Sequence, residues 1–205
     1  MYSKEEVRKK YDAFAKWYDF SEGLLEIFLH GLRRKLLKNA EGNVLEVGAG
    51  TGRNFQYYPS SCNLTATDFS FVMSQKAKER AKKLRRKIEF YLMDTEKLLF
   101  PSNSFDTVVS SLSSCTYRNP VKALREMARV CKADGKILLL EHGISNKEWL
   151  RNYQNKKVNA HAKKLGCYWN RDISEIVDEA GLEVAELKRI FFGVFYFIRA
   201  SPVKV

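Results

Sequence analysis

The run Val44-Leu45-Glu46-Val47-Gly48-Ala49-Gly50-Thr51-Gly52 constrains this chain more than any other stretch. A short apolar segment that ends in a glycine cluster reads as a buried strand, Asn43–Val47, leaving the sheet. The glycines permit a tight turn and let a ligand approach the backbone. A helix is expected directly after them, its first N–H groups suited to a carboxylate or phosphate. Open α/β sheets bind ligands outside the carboxyl ends of their strands, so this loop marks the candidate site. Its spacing is Gly-x-Gly-x-Gly, whereas the dinucleotide fingerprint is Gly-x-Gly-x-x-Gly. The early third glycine disfavours a nicotinamide-dependent oxidoreductase.

The rest of the chain alternates strand and helix. Two helices come first. Strands are expected at Asn63–Asp68, Ile88–Leu92, Phe105–Ser111 and Lys136–Glu141. Helices are expected at Ser70–Leu84 with Ser70 as cap, at Pro120–Cys131 with Asn119 as cap, and at Asn146–Leu165. A further helix opens at Asp172 and ends near Gly181. Leu182–Ile190 and Val194–Ala200 close the chain as strands. Strands separated by helices pair in parallel. The last two are joined only by the residues around Phe191-Phe192-Gly193. That is too short for a parallel crossover, so they pair antiparallel.

With 205 residues, 45% hydrophobic and 29% charged, the chain can bury a core without metal or disulfide staples. No apolar run is long enough for a transmembrane helix, and Met1–Glu6 has no apolar signal core, so a cytoplasmic location is expected. Cys62, Cys115, Cys131 and Cys167 form no CxxC pair; they read as reduced, mostly buried thiols, with no metal site expected. The net charge of +12 favours anionic partners. It concentrates between Gln75 and Glu89 and between Asn146 and Arg171. Each run reads either as a solvated helix face or as a contact for an anionic membrane or nucleic acid.

Several motifs then fall in one order. Glu46-Val-Gly-Ala-Gly-Thr-Gly52 resembles the first motif of the class I S-adenosylmethionine (SAM)-dependent methyltransferases. Asp68 stands where that family's acidic residue binds the ribose hydroxyls. Met93-Asp94-Thr95 stands where the family contacts adenine. Ser104–Ser110 resembles its fourth-strand motif, and Leu124–Lys136 its E-x-x-R-V-L-K-P-G-G segment, with Ala133 and Asp134 in place of the usual proline and glycine. The resemblance spans roughly residues 11–200. It implies an α/β, Rossmann-like, seven-stranded sheet, mostly parallel with an antiparallel C-terminal hairpin and helices on both faces. It implies one domain over 1–205, with a helical lid over 1–40 and the core over 41–205. The cofactor would be SAM and the product S-adenosylhomocysteine. Its binding residues would be Tyr18, Glu46, Gly48, Ala49, Gly50, Gly52, Asn54, Asp68, Phe69, Asp94, Thr95 and Ser110. On the residues alone, Asp68 could instead cap the next helix, Asp94 could serve a turn, and Glu46 could orient the loop.

Tyr11-Asp12-Ala13-Phe14-Ala15-Lys16-Trp17-Tyr18-Asp19 resembles the lid segment of the quinone and phospholipid methyltransferase branch. Tyr11 and Tyr18 share a helix face, and an aromatic lid can exclude water from a sulfonium and bind it by cation–π contact. The alternative is an aromatic helix packed on the core. A protic acceptor must shed a proton, so a base helps. His142, ending the fifth strand, is the candidate base, against a purely structural histidine. Tyr117, after the fourth strand, is a second candidate at the acceptor side.

Gly52–Tyr58, Ser113-Ser114-Cys115 and Glu141-His142 resemble the phospholipid N-methyltransferases and the methyltransferase-like thiol branch. The expected acceptor is small or lipophilic, the first choice being the amine headgroup of phosphatidylethanolamine, with quinone precursors, small thiols or a non-catalytic SAM-binding subunit as alternatives. A peripheral place on an anionic membrane fits the basic helices and the apolar residues of the first 28 positions. Nucleic acid is disfavoured as a partner: no Asn/Asp-Pro-Pro-Tyr/Phe follows the fourth strand, where Ser110-Ser111-Leu112-Ser113 stands. Monomer and homodimer are both compatible with the sequence.

Overall fold

The computed structural model describes the backbone of residues 2–21 and 23–203, and the side chains of residues 2–13 and 26–203. Two helices, α1 (Lys4–Ser21) and α2 (Gly23–Leu37), precede β1 (Asn43–Val47). Then come β2 (Asn63–Asp68), α3 (Phe71–Lys83), β3 (Ile88–Leu92) and β4 (Phe105–Ser111). The chain ends with α4 (Pro120–Val130), β5 (Cys131–His142), α5 (Glu148–Leu165), α6 (Ile173–Glu179), β6 (Leu182–Ile190) and β7 (Phe195–Pro202). The seven strands form one sheet in the order β3-β2-β1-β4-β5-β7-β6. All pairs from β3 to β5 are parallel. β7 is antiparallel to both β5 and β6, so the expected hairpin closes the sheet with β7 inserted beside β5.

Alternation along β5 shows how the sheet buries both faces. Leu138 and Leu140 point to the layer holding Leu29, Leu36 and Leu37 of α2 with Phe55 and Tyr58. Ile137 and Leu139 point to Leu124, Met127 and Val130 of α4 and Ile173 and Val177 of α6. A strand buried on both sides must be apolar at nearly every position, and Ile137-Leu-Leu-Leu140 is. The caps read from sequence are present. Ser70 Oγ accepts from Met73 N, Asn119 Oδ1 from Lys122 N, and Asp172 Oδ1 from Ser174 N.

Two local expectations are corrected. The helix expected after Gly52 is only a 3-10 turn, Phe55–Tyr57. Pro59 is the reason: the residue before proline is driven out of the helical region, and Tyr58 is extended at φ −71°, ψ 141°. The face such a helix would cover is covered by α2 instead. The second correction concerns Cys131–Gly135, expected as a turn leading into a strand at Lys136. β5 already begins at Cys131. Phe105 pairs with Cys131 and Thr107 with Lys136, so the extra residues are absorbed as a bulge. Gly135 is required there, because a Cβ would lie 2.7 Å from Cys131 Sγ and 2.9 Å from the Asp106 carbonyl.

Candidate active site

The neighbours of β1 on its two sides, β2 and β4, diverge in connection: one chain path runs toward β3, the other toward β5. Such a switch point leaves a crevice at the carboxyl ends of the strands. There the structure holds a cavity of about 1000 Å3, open mouth included.

The glycine loop forms one wall. Gly48, Gly50 and Gly52 all have positive φ, +59°, +57° and +78°. At Gly48 a Cβ would sit 2.7 Å from Ser113 Cβ, and at Gly52 one would strike the Phe55 ring. At Gly50 a Cβ would meet nothing within 4 Å, so that backbone faces open cavity. Asp68, at the end of β2, accepts from Gly50 N and Ser70 N at 2.8 Å each. Phe69 N–H is a third backbone donor to the carboxylate, which keeps acceptor capacity toward the cavity. Burial raises its pKa, against the pull of those amide donors.

Glu46 is 3% exposed yet reaches the cavity wall. Asn54 Nδ2 and the Tyr58 hydroxyl each donate to it at 2.8 Å. Arg33 Nη1 in turn donates to Asn54 Oδ1 at 2.5 Å and Ser111 Oγ at 3.0 Å. Burial pushes Glu46 up to about 7 despite these donors. Glu46 therefore fixes the loop from within.

Helix α1 contributes Lys4, Val7, Arg8 and Tyr11, which share one of its faces. Lys4 Nζ lies 2.5 Å from Asp94 Oδ2 and 2.8 Å from Glu96 Oε2, fastening α1 over the loop after β3. Asp94 also accepts from Glu96 N. Phe69 and Thr95 complete this side. The side chain of Tyr18 lies outside the described residues, as do those of Trp17, Phe20, Leu24 and Leu25.

The opposite wall is a hydrogen-bonded chain. Tyr117, on the cavity, is 2.8 Å from Ser113 Oγ, which is 2.8 Å from Ser110 Oγ. Ser110 donates to Glu141 Oε1 at 2.6 Å, and Ser113 N and Ser114 N donate to Glu141 Oε2. Glu141 is 1% exposed, and burial raises its pKa. Burial and the Glu141 charge raise Tyr117 as well.

The sequence candidates thus divide. Glu46, Gly48, Ala49, Gly50, Asn54, Asp68, Phe69, Asp94, Thr95 and Tyr117 share the cavity. Gly52 packs behind the loop on Phe55, and Ser110 backs Tyr117 through Ser113. His142 is not part of the cavity wall; its Nε2 lies 3.5 Å from Cys167 Sγ. Sequence reasoning missed Lys4, Glu96 and Arg33. Lys4 stands one heptad before Tyr11. Arg33 interrupts the buried stripe Leu29, Leu36, Leu37, where a charge needs partners.

A nucleoside with an amino-acid tail fits these walls: the described cavity offers open backbone at Gly50, acceptor capacity on Asp68 and a cover of α1. The family described as "Methyltransferase domain" matches residues 45–139. The chain is 32% identical to the mitochondrial methyltransferase OMS1 of Saccharomyces cerevisiae, over 93% of this chain and 45% of that one. It therefore spans less than half of that relative's length. It is 31% identical to the phosphatidylethanolamine N-methyltransferase of Cereibacter sphaeroides, over 91% of this chain and 94% of that one. A SAM-dependent methyltransferase structure from Aquifex aeolicus shares the fold: TM-score 0.65, 21% identity, 83% of this chain and 89% of that one. Fold and cavity define an α/β methyltransferase that uses SAM. The chain belongs to the class I SAM-dependent methyltransferase family.

Proposed function

We propose that this enzyme methylates the amine headgroup of phosphatidylethanolamine at a membrane surface. The observation that carries the reading is the tip of the β6–β7 hairpin. Phe191 and Phe192 both adopt left-handed backbone, φ 52° and 54°. They open the four-residue turn between the paired Ile190 and Phe195, in backbone that ordinarily favours glycine, and each non-glycine residue there costs roughly 1–2 kcal/mol. The strain presents two rings to solvent, 57% and 52% exposed. Phe28 of α2 and Trp149 of α5 join them, with ring centroids 5.3 Å from Phe191 and 6.1 Å from Phe192. Exposed Arg151, Lys156 and Lys157 follow Trp149 along α5. Aromatic residues beside a basic face suit an anionic bilayer interface. The turn lies at the same sheet edge as the cavity, since Phe195 pairs with His142 at the end of β5. The near full-length likeness to a phosphatidylethanolamine N-methyltransferase supports the same acceptor. No helix among the described residues is long and apolar enough to cross a membrane, so contact would be peripheral.

Gly48, Ala49 and Gly50 would hold the amino-acid end of SAM, Asp68 its ribose, and Phe69, Asp94 and Thr95 its adenine. When bound, SAM supplies an electrophilic methyl: the N–C bond forms as the S–C bond breaks, leaving S-adenosylhomocysteine. Tyr117 takes the amine proton while its own proton passes through Ser113 and Ser110 to Glu141. A buried carboxylate with a raised pKa is a competent proton sink. His142 takes no part in this path.

The test is transfer of labelled methyl from SAM to phosphatidylethanolamine vesicles containing anionic lipid, beside quinone precursors and small thiols. The proposal expects labelled N-methyl lipid, and Phe192→Ser lowering vesicle sedimentation and lipid turnover together. Label on a thiol or quinone alone, or vesicle binding indifferent to anionic lipid, would overturn it.

A further inference from the structure

Cys115, His142 and Cys167 are far apart in sequence and have no metal-motif spacing. The fold brings them together beside the wall from β4 and β5. Cys115 sits in the turn after β4, His142 ends β5, and Cys167 follows Gly166, which ends α5 in left-handed backbone at φ 70°. A Tyr168 N–H to Cys115 carbonyl bond of 2.9 Å ties the two cysteine segments. One ligand atom from each residue lies within 4.8 Å of the others, and His142 Nε2 is 3.5 Å from Cys167 Sγ. The thiols are 2% and 6% exposed.

We propose that these three side chains bind a thiophilic divalent cation of the zinc class. Metal–sulfur bonds of about 2.3 Å and metal–nitrogen bonds of about 2.0–2.1 Å place tetrahedral ligand atoms roughly 3.5–3.8 Å apart. The imidazole–thiol separation already has that value, and no two of the three ligand atoms are more than 4.8 Å apart. Two thiolates and one imidazole are the soft donor set that selects zinc over magnesium or calcium. The donors come from three separate segments, so a bound ion would clamp the turn that carries Tyr117 to the end of β5 and the start of the α5–α6 loop. Water takes the fourth position, because no further Cys, His, Asp or Glu among the described residues joins the group. The inference does not depend on the methyl acceptor.

Reduced, chelator-treated full chain titrated with Zn2+ against a chromogenic chelator is expected to bind one equivalent. Co2+ in its place should give thiolate-to-metal charge-transfer absorption and tetrahedral d–d bands. Cys167→Ser should weaken Zn2+ binding at least roughly tenfold, while Cys131→Ser, a buried thiol outside the cluster, leaves it unchanged. The cobalt spectrum of the unaltered chain decides the matter if Cys167→Ser does not fold. Absence of thiolate charge transfer, equal Zn2+ affinity in both variants, or a Cys115–Cys167 disulfide that forms readily in the presence of saturating Zn2+ would each overturn the proposal.

Discussion

The two walls of the cavity use different materials. The wall from β1 and β2 is mostly backbone: three positive-φ glycines, amides aimed at Asp68, and open space at Gly50. The wall from β4 and β5 is mostly side chain: Tyr117, Ser113, Ser110 and Glu141 in one hydrogen-bonded line. Backbone recognition suits an invariant cofactor, because it leaves little to vary. Side-chain recognition suits an acceptor, because single substitutions retune it. The walls touch where Gly48 packs against Ser113.

A substitution at that contact disturbs both walls. Gly48→Val puts a branched side chain at φ +59° and inside van der Waals distance of Ser113. Both walls should fail together, with kcat/KM down at least roughly 1,000-fold from strain and lost positioning. A steady-state assay showing a loss confined to KM for one ligand would separate walls that we hold to be joined.

The next effect belongs to Glu46. Its folded pKa, about 7, exceeds the ordinary 4.5. Between these values the folded chain holds more protons than the unfolded one, so stability falls as pH rises through that window and stays lower above it. Glu46→Gln should abolish that slope, a difference of at most about 3 kcal/mol near pH 8. Denaturant unfolding at several pH values reads it; an unchanged slope would count against a carboxyl raised by burial.

Tyr117→Phe and Glu141→Gln probe the wall from β4 and β5. Each should lower kcat roughly 100-fold while SAM affinity by calorimetry stays within about twofold. The double variant should be no worse than either alone, as members of one relay are not additive. Additive losses would mean two independent roles.

The smallest effect is at Lys4, whose ion pairs with Asp94 and Glu96 are partly solvated and worth at most about 1 kcal/mol. Lys4→Gln releases Asp94 and should tighten SAM about threefold by calorimetry. Weaker binding would make Lys4 a cofactor contact rather than a latch.

The glycine wall of the cavity was legible in sequence because local backbone demands leave local marks. Glycines fill three left-handed positions, at two of which a Cβ would also clash, and Asp68 ends a strand of ordinary length. The wall from β4 and β5 was legible only in its parts. Ser113, Tyr117 and Glu141 are unremarkable alone, and their line exists only once β4 and β5 pair in parallel register. His142 shows the limit most plainly: it ends the right strand on the right edge, but its ring turns toward Cys167. The helix expected after Gly52 is absent because Pro59, seven residues on, holds Tyr58 in extended backbone and stops the turn.

Crystals grown with S-adenosylhomocysteine test the central claim most directly. The account predicts the ribose hydroxyls on Asp68 and the amino-acid end against Gly48 to Gly50, with Glu46 still held by Asn54 and Tyr58. A nucleoside bound elsewhere on the molecule, or one whose sugar makes no contact with Asp68, would contradict it.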